Sequence, residues 1–274
     1  MAITAADVSK LRKMTGAGMM DCKNALEEST GDFDQAVEII RKRGQLVASK
    51  RADRDATEGV VLAMVNTSGN FGAMVVLNCE TDFVAKNEDF IKFAQEILDL
   101  ALDKRPSDLN ALKSLKFGGR SVGDRVTEQV GIIGEKLDLS YYTKIEASQV
   151  IPYIHPGNKL ATLAGMNKAV DVKVGKDIAM QVAAMNPIAV DRADVTPETI
   201  EKEREIGREQ ARNEGKPENM LDKIAEGKLN KFFKESTLLN QDFTKDSSKT
   251  VKQYLQGIDK DLTVTGFVRY TLNQ

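Results

Sequence analysis

Tryptophan is absent from the chain, histidine occurs once and cysteine only twice. A lone histidine, His155, leaves little for general acid–base or Ser-His-Asp chemistry. One histidine with two distant cysteines cannot furnish a convincing zinc site. Cys22 and Cys79 are too few for a disulfide framework and read as reduced, inert packing thiols of a cytoplasmic protein. Long apolar runs are also missing. The longest, such as residues 60–65, fall far short of the ~18 to 20 residues that span a bilayer, so no membrane helix is expected. The start, Met1-Ala2-Ile3-Thr4, lacks the basic-then-apolar pattern of a secretory signal. Nor is there a surplus of one charge. With 39 Lys+Arg against 41 Asp+Glu the net charge is -2, which argues against direct nucleic-acid binding. Neither G-x-x-x-x-G-K-[ST] nor H-E-x-x-H occurs, and the glycines at 16–18 and 118–119 lack the strand–loop–helix setting of a nucleotide site. Bond chemistry, a resident cofactor and a bound metal are therefore not expected.

What is present is organised. At 274 residues the length suggests roughly two domains. Thr4 with Asp7 fits a capping box, and Val8, Leu11 and Met14 follow at helical spacing up to the turn at residues 16–18. A second helix is expected from 19 to 30, stopped by Gly31, and a third from the N-cap Asp32 to Gly44, with Phe33, Ala36, Val37 and Ile40 inward. Met19 and Met20 lie about 100° apart on a helix, so both cannot face one small core. Either one packs inside and the other is idle, or they form an adaptable partner surface. The basic stretch Arg41, Lys42, Arg43, Lys50, Arg51 and Arg54 is interrupted by Asp53 and reads as a solvated helical linker.

After Glu58 the composition changes. Residues 59–65 and 71–79 flank a Thr67-Ser68-Gly69-Asn70 turn and read as a β-hairpin buried on at least one face. A polar connection over 80–87 leads to a helix over 89–102, a helix near 122–133 and a strand near 137–145. A looser echo follows: strands over 150–154 and 160–166, a helix over 177–185, and a final strand over 262–272. Strand pairs with helices, without βαβ alternation, indicate the α+β class. Thr196-Pro197-Glu198 starts a charged helix to residue 213, and a second over 218–235 follows the Gly215-Lys216-Pro217 turn. Their narrow apolar seam (Leu221, Ile224, Leu229, Phe232) describes an antiparallel helical hairpin, either simply packed or used as a contact arm. Glu80, Asp82, Glu88 and Asp89 read as capping carboxylates rather than cation ligands. His155, beside Pro156-Gly157, reads as a turn or core histidine.

Three segments then carry a resemblance: T-G-A-G-M-M-D-C-K-N-A-L (residues 15–26), T-D-F-V-A-K-N (81–87), and G-K-P (215–217) with K-I-A-E-G-K-L-N-K-F (223–232). Collinear over almost the whole chain, they resemble the bacterial elongation factor Ts family. The resemblance implies an α+β fold with an N-terminal three-helix, ubiquitin-associated-like bundle (1–54, including its linker). Two related α+β core halves (55–146 and 147–274) and an inserted antiparallel coiled-coil hairpin (about 197–240) would complete it. It also implies guanine-nucleotide exchange on elongation factor Tu, in its GDP-bound and nucleotide-free states, by disturbing the partner's Mg/phosphate site. Thr81, Asp82, Phe83 and Val84 would form the wedge, Arg12, Met19 and Met20 would meet the same partner domain, and His155 would sit as a core histidine at a second contact. Longer members add a C-terminal helix beyond the region of Gly266–Tyr270 that has no counterpart here, which leaves that contact in doubt. A dimer through the core or the coiled coil stays open. Two other classes stand beside exchange: a structural adaptor, and, on weaker grounds, a metal-assisted enzyme.

Overall fold

The computed structural model describes residues 3–272. Its first elements are three helices, α1 (Ala5–Thr15), α2 (Met19–Glu28) and α3 (Phe33–Lys50). The Thr4 hydroxyl accepts from the Asp7 amide at 3.2 Å while the Asp7 carboxylate accepts from the Thr4 amide at 3.0 Å, so two orphan donors of the first turn are satisfied reciprocally. Val8, Leu11, Cys22, Ala25, Leu26 and Ala36 form their shared core. Met14, which shares the spacing of Val8 and Leu11, is exposed.

Helix α3 corrects the sequence reading twice. It does not stop at Gly44 but runs on to Lys50, and its second half is no free linker. Arg41 approaches Glu128 (3.6 Å), Arg43 pairs with Glu28 (2.7 Å), and Arg51 and Arg54 both reach Glu80. Val47 and Ala48 pack against the main core. Gly44 marks a close crossing rather than a stop.

The main body follows: β1 (Glu58–Val65), β2 (Phe71–Cys79), a single turn α4 (Asp82–Ala85), α5 (Glu88–Lys104), α6 (Leu109–Ser114), the short pair β3 (Lys116–Phe117) and β4 (Arg120–Ser121), α7 (Val122–Ile133) and β5 (Asp138–Glu146). Strands order antiparallel as β1-β2-β5, with Glu58 opposite Cys79 and Val65 opposite Gly72. Next come β6 (Gln149–Ile154), β7 (Leu160–Met166), α8 (Val172–Met185), α9 (Pro197–Asn213), α10 (Leu221–Ser236), β8 (Asp242–Phe243), β9 (Asp246–Thr250), α11 (Val251–Gln256) and β10 (Val264–Thr271). A second antiparallel sheet orders β10-β7-β6.

The two sheets face each other. Val61, Ala63, Met74 and Val76 of the first meet Val150, Ala161 and Leu163 of the second. The opposite face of the first sheet, with Val60, Leu62, Phe71, Ala73, Val75 and Leu77, is covered by α5 and α7. The opposite face of the second, with Ile151, Ala164 and Met166, is covered by α8. Helix–sheet–sheet–helix layering explains why β2 is buried at every residue: both faces of the pleat are occupied, so no alternation appears. The class is α+β.

Helices α9 and α10 pair antiparallel. Thr196 caps α9 with Pro197 at its first position. Near the base Leu229 and Phe233 pack with Ala189 and Val195; farther out the seam shrinks to Gly207, Ala211, Leu221 and Ala225. Arg208 bridges Glu201, Glu205 and Asp222, so charge compensates along a surface that buries little apolar area.

Candidate functional site

The polar connection after β2 is more ordered than its composition suggests, because it holds the helical turn α4. Thr81 is extended and caps that turn, its hydroxyl accepting from the Val84 amide at 3.4 Å. One carboxylate, Glu135, grips the segment from the loop between α7 and β5. The Glu80 and Thr81 amides each donate to its Oε2 at 3.1 Å, and the Thr81 hydroxyl donates to its Oε1 at 2.7 Å. Beside it Glu80 accepts from the Lys136 amide (2.6 Å) and from Arg51 (2.8 Å) and Arg54 (3.0 Å). The Lys136 amide bond, followed by those of the two arginines, holds the Glu80 carboxyl down at about 2. Lys136 in turn donates through Nζ to the Ala52 and Arg54 carbonyls, both at 2.7 Å. Three chain segments thus meet under α4.

The outcome is a fixed turn carrying an unusual side chain. Ala85 is buried and Val84 packs against the main core, yet Phe83 is 82% exposed. An aromatic ring on a clamped turn, left to solvent, contributes little burial to the isolated fold. Asp82 pairs with Lys86 at 2.6 Å, and that hydrogen bond, helped by the field of Lys159, lowers its carboxyl below the usual range. Glu88 and Asp89 lie in the first turn of α5, capped by Asn87. The nearby Cys79 thiol is buried and pushed up to about 12, first by desolvation, so it stays protonated and unreactive.

Met19 and Met20 are both exposed, at 60% and 64%, which overturns the alternative in which one packs inside. Arg12 is exposed on α1, its carbonyl accepting the Gly16 amide that ends the helix. The turn between α1 and α2 and the α4 turn share a groove: Gly16 and Val84 both line it, together with Asn87, Phe90, Phe93 and Ile132. The N-terminal bundle and the α4 turn therefore flank a common cleft. His155 is outside that lining. It is not a core residue but an exposed member of the 155–158 turn, its Nδ1 2.9 Å from the Tyr153 hydroxyl. That turn docks on β1, where the Val61 amide donates to the Asn158 carbonyl at 2.7 Å and Lys159 pairs with Glu58 at 2.8 Å. Among the described residues no helix is long and apolar enough to cross a membrane.

Sequence reasoning missed Glu135. It lies 54 residues from Thr81, and nothing local distinguishes it from any surface glutamate after a helix.

A family model described as Elongation factor TS matches residues 80–274. Elongation factor Ts of Porphyromonas gingivalis is 54% identical over 274 residues, covering 100% of this chain and 99% of its own. That of Amoebophilus asiaticus is 56% identical over 272 residues, with 98% of each chain covered. That of Bacteroides thetaiotaomicron is 41% identical over 329 aligned positions, with 99% of each covered.

Proposed function

Because this chain belongs to the elongation factor Ts family, we propose that it is a cytoplasmic translation factor that binds elongation factor Tu and accelerates its release of GDP, without bond chemistry of its own. The observation that carries this reading is Phe83, an exposed ring on a turn held by Glu135 and Thr81. In this reading Asp82–Ala85 presents the wedge, Thr81 and Val84 anchor it, and Asp82 engages or repels polar groups at the partner's site. Arg12, Met19 and Met20 dock the same partner domain, from a bundle whose Gly16 lines one groove with Val84. His155 serves a second contact from the exposed turn on β1. Residues 1–54 act as a ubiquitin-associated-like docking bundle, 55–146 and 147–274 as related core halves, and about 197–240 as a coiled-coil arm.

The mechanism follows from what holds GDP in a GTPase. Backbone amides cradle its phosphates and a Mg²⁺ demands near-octahedral geometry, so a small displacement of backbone beside that ion weakens both. A ten-thousandfold acceleration of release requires a barrier lower by about 5.5 kcal/mol. Burying one Phe supplies roughly 1.5–3 kcal/mol. The ring alone is insufficient, and docking through Met19, Met20 and Arg12 must contribute the remainder as strain in the partner. Linkage makes the effect mutual: the factor by which this protein weakens GDP is the factor by which GDP weakens this protein. Binding to the nucleotide-free partner is accordingly the tightest. Stopped-flow release of labelled GDP from elongation factor Tu tests the reading. Acceleration that saturates with this protein's concentration supports it; release at the spontaneous rate contradicts it.

A further inference from the structure

We propose that Glu135 is the positioning residue of the exchange wedge, acting on the partner only through the orientation it imposes on Phe83. The inference rests on the wedge reading above. Among the hydrogen bonds around α4, three converge on this one carboxylate, and they come from two amides and a hydroxyl rather than from a cation. Bonds to an ionised acceptor are about twice as strong as neutral ones and narrow the geometry of what they hold. The donors are also the right ones. Thr81 is the residue that caps α4, so fixing its amide and its hydroxyl fixes the start of the turn, and Phe83 is the second residue of that turn. The hydroxyl works in both directions, donating to Glu135 and accepting from Val84, which transmits the position of the carboxylate to the backbone on either side of Phe83.

Glu80 completes the support without duplicating it. Its carboxylate accepts from Arg51, Arg54 and the Lys136 amide, and so anchors the neighbouring loop residue rather than the α4 turn itself. Glu135 and Lys136 together tie the wedge, the end of α3 and the α7–β5 loop into one rigid corner. A ring that is 82% exposed has no packing of its own to orient it, so its direction is set by this corner.

The test compares Glu135→Ala, Glu135→Gln, Phe83→Ala and the double variant Phe83→Ala with Glu135→Ala, in full-length protein, by stopped-flow release of GDP from elongation factor Tu and by amide hydrogen exchange of residues 81–84. Misplacing a reacting group by about 1 Å can cost a hundredfold. Glu135→Ala should therefore lower the maximal release rate by roughly tenfold to a hundredfold, with a smaller change in the half-saturating concentration, and should speed exchange of the Thr81 amide. Glu135→Gln keeps a carbonyl oxygen for both amides and should recover most of the rate; it also preserves the test if the Ala variant folds poorly. The double variant should be no slower than Phe83→Ala alone, because a positioning residue has nothing left to position. A slow Phe83→Ala beside a fully active Glu135→Ala would overturn the inference and leave the wedge reading intact. Fully additive losses would overturn it as well, since Glu135 would then act by another route. A normal rate for Phe83→Ala would remove the wedge reading itself.

Discussion

Gly44 and Gly131 meet where α3 crosses α7, and the two are not equivalent. A Cβ built on Gly44 finds the Gly131 Cα at 3.5 Å, an ordinary van der Waals distance. A Cβ built on Gly131 falls inside 3.0 Å of the Gly44 Cα, where backbone rather than a flexible side chain must yield. Either glycine costs its helix about 0.8–1.0 kcal/mol relative to alanine, so each substitution has the same favourable propensity term. Gly44→Ala collects that term at no steric cost and should stabilise by roughly 0.5–1 kcal/mol. Gly131→Ala adds overpacking of about 1–3 kcal/mol against a rigid neighbour, and should destabilise by up to roughly 2 kcal/mol after the propensity gain. The shared propensity term cancels between them, so the variants should differ by about 1–3 kcal/mol, or roughly 2 to 12 °C in Tm for a chain of this size. Calorimetry and urea unfolding read the difference directly. Gly131→Ala equal to or more stable than Gly44→Ala would refute the reasoning, and with it the close docking of α3 on the main body.

Glu80, held at about 2 against an ordinary 4.5, contributes stability that is complete above about 4.5 and is lost as pH falls toward 2; Glu80→Gln should flatten the acid limb of the stability profile, and an unchanged limb would contradict this. Met19→Ala with Met20→Ala should weaken binding to elongation factor Tu in calorimetric titration while moving stability by under about 0.5 kcal/mol, because both side chains are exposed; lost stability with intact affinity would contradict the docking role. Replacing the distal part of the arm, residues 204–226, by a short linker leaves the base cluster of Ala189, Val195, Leu229 and Phe233 in place, so the core should keep its Tm while partner affinity or assembly falls. Light scattering and exchange kinetics separate those two effects, and no change in either removes the arm's role. In the intact chain the amides near Gly215 should exchange fastest among the helical segments; strong protection there would contradict a lightly packed tip.

Much of the fold was legible because its signals are local. The caps at Thr4, Asp32 and Thr196, the helix over 122–133 and the strand over 160–166 appear where hydrophobic period and capping chemistry place them. Gly44 was misread because a glycine inside a helix and one ending it look alike; only the crossing with Gly131 separates them. Met19 and Met20 could not be apportioned, since the core they adjoin is completed by Leu11 and Leu26, leaving both outside. His155 was read as turn or core; the turn holds and the core does not, because the chain reverses at the surface of β1. Residues 81–84 are singled out only by the family resemblance, and their support by Glu135 is a tertiary fact with no local trace.

The central claim is that Phe83 serves the partner and not the fold. Truncating a ring that is 82% exposed should leave Tm within the range of ordinary surface substitutions, about 0.5 kcal/mol in stability. The decisive measurement is the maximal rate of labelled GDP release from elongation factor Tu by Phe83→Ala, taken beside its melting curve. An unchanged melting curve with release slowed by about tenfold or more is the predicted result. Unaltered release by the folded variant, or a slowed release fully accounted for by a fall in Tm, would contradict it.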